Sequence, residues 1–157
     1  MKSDALTKIV SSFFYLGNIP WAPGTWGSLA GLLIVYFVPG PFQTLLLVFM
    51  CLLGFYVCPK AVKVYQAKDP SIFVMDEVCG MMLSVLWLPK TTWVLLGGFL
   101  LFRGFDIVKP WPISWVQKKN TPSCILWDDL LAGVFTNLVL RVGFVLGMPA
   151  LFARLGF

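Results

Sequence analysis

The sequence predicts an all-α protein: a compact, membrane-embedded bundle of about five hydrophobic helices with a short N-terminal surface helix. Three observations predict it. The chain is 59% apolar and only 12% charged, against roughly 25% charged residues in an ordinary soluble domain, and its mean hydropathy is +0.85. The apolar residues gather in five runs separated by proline and glycine. Aromatic residues make up 16%, with seven Trp, as expected where rings sit at a membrane interface. The length of 157 residues suits a single domain over 1–157.

Residues 5–16 (ALTKIVSSFFYL) read as a short amphipathic helix at the membrane surface. Residues 17–27 (GNIPWAPGTWG) are rich in glycine and proline and read as a loop. The first apolar run covers 28–38 and stops at Pro39-Gly40-Pro41. The second covers 42–58 and is expected to stop at Pro59. The third, 71–88, follows the start signal Asp69-Pro70-Ser71 and ends at Pro89. The fourth is 92–108, closed by Pro110, and the fifth is about 125–147, after Thr121-Pro122-Ser123. Most are shorter than the roughly 20 residues of a comfortable bilayer crossing. The first reads as a half-membrane or re-entrant helix.

If the runs cross alternately from a cytoplasmic N-terminus, one side holds Lys2, Lys8, Lys60, Lys63, Lys68, Lys109, Lys118 and Lys119. The other side holds only Lys90 and Arg154. This satisfies the positive-inside rule. The same threading brings the first loop, the start of run three, the end of run four and the start of run five to the cytoplasmic face.

Composition also excludes chemistry. The chain has no His, which removes histidine triads, His-ligated zinc and histidine phosphotransfer. Its four cysteines form no C-x-x-C pair, and none is followed by the arginine of a C-x5-R phosphatase loop. The D-x-D pattern of haloacid-type phosphatases is also absent. The net charge of +5 suits an anionic membrane surface. Its basic residues are scattered, which argues against nucleic acid. The N-terminus lacks the pattern of a signal peptide.

Five of the seven acidic residues lie in three clusters within or beside apolar runs. These are Asp76-Glu77 in IFVMDEVCGMML, Asp106 in FRGFDIVKPWPI and Asp128-Asp129 in ILWDDLLAGVF. An ionised carboxylate in apolar surroundings is costly unless it is paired or binds a cation. A shared site for Mg²⁺, a hard cation that takes carboxylate, water and phosphate oxygens, accounts for all three. Asp76, Glu77, Asp106, Asp128 and Asp129 are its candidate ligands. Arg103, Asp106 and Lys109 share one helix stripe by their spacing. Arg103 and Lys109 are therefore candidate phosphate binders beside the metal. In APGTWGSLAG, Gly24 permits close approach of the backbone, while Thr25 and Ser28 are candidate donors to a phosphate. Without His, the catalytic base is a carboxylate or a metal-activated water. Asp76, Glu77, Asp106, Lys109 and Asp129 are the catalytic candidates.

APGTWGSLAG, the DE of MDEVCG, FRGFDIVKPWPI and DDLLAG stand in an order that resembles the phosphatidylglycerophosphatase A family over residues 20–133. The resemblance implies a bacterial, membrane-associated, Mg²⁺-dependent enzyme; with the threading above, it is expected in the cytoplasmic (inner) membrane, multi-pass, with its active site facing the cytoplasm. It implies hydrolysis of phosphatidylglycerophosphate to phosphatidylglycerol and phosphate. The matching positions are Asp76, Glu77, Asp106, Lys109, Asp128 and Asp129. The competing reading is a small transporter or channel subunit with an acidic cation site. A conduction pathway would spread carboxylates through the membrane depth, whereas the threading places these at one face. A phosphatidyltransferase would carry a D-x2-D-G-x2-A-R series, which is absent.

Overall fold

A computed structural model of the chain describes residues 2–119 and 121–146. It contains α1 (Lys2–Ser11), a 3-10 turn (Leu16–Asn18), α2 (Pro23–Phe37), α3 (Gly40–Tyr65) and α4 (Met75–Ser84). These are followed by α5 (Thr92–Val108), α6 (Ile113–Gln117) and α7 (Cys124–Leu146), with no strand among the described residues. The all-α expectation holds. Gly147 and Arg154 lie outside the described residues.

Run four is α5 with the predicted boundaries. Its start is set by Thr91, whose side chain accepts from the Val94 N–H at 3.4 Å. Its end is set by Lys109, which takes the left-handed conformation at φ 45°. Run two does not stop at Pro59. Helix α3 continues through it to Tyr65, because Gly54, Val57 and Cys58 before the proline and Ala61 after it form one continuous buried face. That packing outweighs the lost backbone bond. Run three shortens to the ten residues of α4. Residues before it form a turn pinned by Val74 N–H to the Ser11 carbonyl at 2.9 Å, and Trp87 turns the chain after it at φ 60°. Helix α6 was not foreseen; its Ile113 is fully buried.

Helix α4 is the axis of the bundle. Val78, Cys79, Gly80, Met81 and Met82 are all buried. Glycines let the neighbouring backbones reach it. A Cβ on Gly31 of α2 would lie 2.7 Å from the Val78 carbonyl oxygen. A Cβ on Gly80 would lie 2.7 Å from the Asp129 carbonyl oxygen and the Phe102 ring, and one on Gly133 of α7 2.5 Å from the Gly80 carbonyl. Close backbone approach through small residues is the packing mode expected in lipid, where water supplies no force between helices.

Helices α2, α4 and α7 start at the end of the bundle where α3 and α5 finish. The distal end is fastened separately. Asn137 Nδ2 donates to the carbonyls of Leu83, Ser84 and Leu86 at 3.0–3.1 Å, closing the C-terminus of α4. Arg141 holds Asn137 Oδ1 at 2.6 Å. Lys90 donates to the Tyr36 and Val38 carbonyls at the end of α2. The outer surface is apolar: Leu33, Leu45, Phe49, Leu52 and Leu100 are exposed. Helix α3 is the one helix among the described residues that is long and apolar enough to cross a membrane.

Gly80→Ala forces a side chain against backbone oxygen and a buried ring, and lowers stability by about 1–3 kcal/mol. Gly40→Ala, where nothing lies within 4 Å, is the neutral control. Thermal unfolding in detergent compares them; equal midpoints would show that α4 and α7 do not pack this closely.

Candidate active site

The starts of α2, α4 and α7 and the end of α5 converge on a cavity of about 300 Å³. Asp76 and Glu77 lie in the first turn of α4, not a turn and a half into it as the longer run suggested. Asp128 and Asp129 lie one turn into α7, which begins at Cys124. Asp76 and Glu77 benefit from the positive end of α4. Asp106 and Lys109 come from the end of α5, and Arg103 from one turn earlier.

Ligand oxygens of Asp76, Glu77 and Asp129 all lie within 4.8 Å of one another. Glu77 Oε2 and Asp129 Oδ2 are buried and have no hydrogen-bond partner. The other two clustered acids are engaged. Arg103 Nη1 donates to Asp106 Oδ2 at 2.6 Å. Lys109 Nζ donates to Asp128 Oδ2 at 2.5 Å and lies 3.8 Å from Asp106 Oδ1. Burial works against the Lys109 ammonium, but the hydrogen bond and charge of Asp128, with Asp129 and Asp106, outweigh it and raise its pKa. Lys109 therefore stays cationic.

The cavity wall carries six carboxylates, the sixth being Asp69, against the two cations Arg103 and Lys109. An anionic substrate would be repelled from such a site unless a cation offset the excess. The orphaned oxygens of Glu77 and Asp129 are donors of the kind a hard divalent ion takes. The residues present therefore fit Mg²⁺.

Two positions show local backbone cost at the site. Ala22 and Lys109 are non-glycine residues at φ 48° and 45°, and both line the cavity. A left-handed non-glycine residue costs roughly 1–2 kcal/mol. At Lys109 that turn sends the chain away from α5 and leaves the ammonium facing α7. Gly24 serves by having no side chain: a Cβ there would overlap Glu77 Oε1 and lie 3.0 Å from Arg103 Nη1.

A model of the phosphatidylglycerophosphatase A family matches residues 9–144. The chain belongs to that family. It is 34% identical over 132 residues to the phosphatidylglycerophosphatase A of Escherichia coli, covering 81% of this chain and 77% of that one. It is 37% identical over 132 residues to the Haemophilus influenzae protein of the same name, covering 80% and 81%. A Bacteroides thetaiotaomicron protein, provisionally named a phosphatidylinositol-3-phosphatase, is 32% identical over 149 residues, covering 87% and 92%. No solved structure matches the chain.

Of the residues singled out in the sequence, Gly24, Asp76, Glu77, Arg103, Asp106, Lys109, Asp128 and Asp129 all line the cavity. Thr25 and Ser28 do not. The Ser28 hydroxyl is buried and donates to the Gly24 carbonyl at 2.8 Å, within its own helix. Asp69, Phe73 and Ile125 line the cavity without having been singled out for it. Asp69 looked like a helix-start residue because it stands before a proline.

Lys109→Met leaves Asp128 in the wall without its cation and lowers stability by about 1–3 kcal/mol. Asp128→Asn added to it recovers part of the loss. Thermal unfolding of the two single variants and the double variant completes the cycle, and strict additivity would mean that the pair is not coupled.

Proposed function

We propose that this chain is a Mg²⁺-dependent lipid phosphatase that hydrolyses phosphatidylglycerophosphate to phosphatidylglycerol and phosphate. The observation that carries the reading is the pair of buried, unpartnered oxygens on Glu77 and Asp129 beside two oriented cations, in a member of the phosphatidylglycerophosphatase A family. Asp76, Glu77 and Asp129 would hold the ion. Bound there, Mg²⁺ would offset phosphate charge and lower the pKa of water. Lys109 and Arg103 bind the phosphate oxygens, on which charge grows as the ester bond breaks. Asp106 orients both cations, and Asp128 fixes Lys109 from the opposite side. With no His in the chain, a carboxylate of this cluster receives the proton of the attacking water.

The names of the relatives point to one substrate class. Phosphatidylglycerophosphate and phosphatidylinositol 3-phosphate each carry a phosphomonoester on a polyol that is joined to diacylglycerol through a phosphodiester. The reading here is the glycerol lipid, as in the two relatives named for it. A bacterial inner-membrane setting, with several helices embedded and the site at the cytoplasmic face, is supported by the apolar exterior, by α3 and by the lysine distribution. Lys90 lies at the end of the bundle away from the site, on the carbonyls that end α2. The gathering of the acids at one end argues against a conduction pathway.

Phosphate release from phosphatidylglycerophosphate in mixed micelles tests the function. Activity is lost with EDTA and restored by Mg²⁺; full activity in EDTA would exclude the metal. Glu77→Gln and Asp129→Asn lower turnover by about 10²–10³-fold and weaken Mn²⁺ binding measured by electron paramagnetic resonance. Lys109→Ala lowers turnover to a similar degree but keeps the Mn²⁺ signal. If Lys109→Ala retains full turnover, the phosphate is held elsewhere.

A further inference from the structure

Beside the active-site cavity lies a second one of about 240 Å³. It is formed where α3 ends, the following loop turns, and α6 and α7 meet. The two cavities share Asp69, Ile125 and Asp128 as a common wall. The second contributes Lys68, Gln117 and Thr121, three exposed polar side chains. Among the described residues Lys68 forms no ion pair, and it is the one cation lining this cavity.

We propose that this second cavity is the subsite for the phosphodiester of the lipid, with Lys68 as its cation. The inference rests on the lipid-phosphatase reading and deepens it. A substrate of that class has two phosphates separated by a polyol, and only the terminal one is cleaved. Two adjoining cavities with a shared wall match two phosphates with a short bridge. The terminal group faces Lys109 and Arg103, and the diester faces Lys68, with Gln117 and Thr121 as hydrogen-bond donors. The polyol crosses the shared wall, where the exposed Asp69 carboxylate accepts from its free hydroxyl.

The bundle wall below this cavity is apolar. Val62 of its wall, Cys58 and Phe55 are spaced to share one face of α3. Below it the Phe55 ring packs against Trp127 of α7 at 5.3 Å between centroids. Trp127 is half exposed, so the apolar exterior on which acyl chains can lie begins just below the subsite. Phosphatidic acid, whose phosphomonoester sits directly on diacylglycerol, cannot fill both cavities. The diester contact is therefore a source of headgroup discrimination, and Lys68 is a specificity residue.

The test uses the full-length protein in mixed micelles. It compares kcat/KM for phosphatidylglycerophosphate and for phosphatidic acid with the same acyl chains. The wild type prefers the diester-bearing lipid. Lys68→Ala reduces the ratio of the two efficiencies about 10-fold or more, and Lys68→Glu reduces it further. Gln117→Ala gives a smaller change in the same direction. Thermal unfolding confirms that these exposed positions leave the fold intact. Equal efficiency of the wild type on both lipids, or Lys68 variants that keep the wild-type ratio, overturns the subsite alone. Failure of the wild type to release phosphate from either lipid overturns the phosphatase reading and the subsite with it.

Discussion

The structure depends on keeping carboxylates at the end of a helix that is otherwise buried in hydrocarbon side chains. Helix α4 has almost no exposed face, yet its first turn carries Asp76 and Glu77. Acids in such a place are tolerable only where something offsets their charge. The rest of the bundle is arranged around that requirement. The N-terminus of α4 itself faces its acids, α5 brings Arg103 and Lys109, and glycines on α2, α4 and α7 let these backbones close in.

The cations and acids are paired unevenly, and the unevenness defines the site. Asp106 and Asp128 are taken by Arg103 and Lys109. Both cations are thereby aimed from the wall, where a phosphate can reach them. Glu77 and Asp129 keep oxygens without partners. One half of the cavity thus presents oriented cations and the other unpartnered carboxylate oxygens. Preset charge is worth most where water is scarce, because no reorganisation is needed as the reaction proceeds.

Much of this was legible in the chain because the burial of charge leaves a strong trace. Acids flanked by Ile, Phe, Val and Leu are conspicuous in a sequence with only seven of them, and the cavity gathers all five of the clustered ones. Helix α5 was legible because its apolar run is long and is closed by Pro110. Pro59 misled because its local cost is outweighed by a buried face on both sides of it. The extent of α4 was hidden because residues 71–74 and 85–88 are as apolar as the helix they flank. Ser28 looked like a ligand donor because its type and position allow that role, but its hydroxyl bonds within α2. Asp69 joins the site through the turn before α4, a long-range placement that local spacing does not encode.

The brevity of α4 bears on how such a protein is made. At about 1.5 Å per residue, its ten residues reach roughly half of a hydrocarbon layer about 30 Å thick. Such a segment, bearing two acids, has no stable place in lipid by itself. Its far end is completed by Asn137 and Arg141, which lie much later in the chain. In the membrane setting proposed here, α4 must wait for α7 to be synthesised before both of its ends are satisfied. Biogenesis then runs from scaffold to centre, and a truncated chain lacking α7 would hold the first half of the acidic cluster with nowhere to put it.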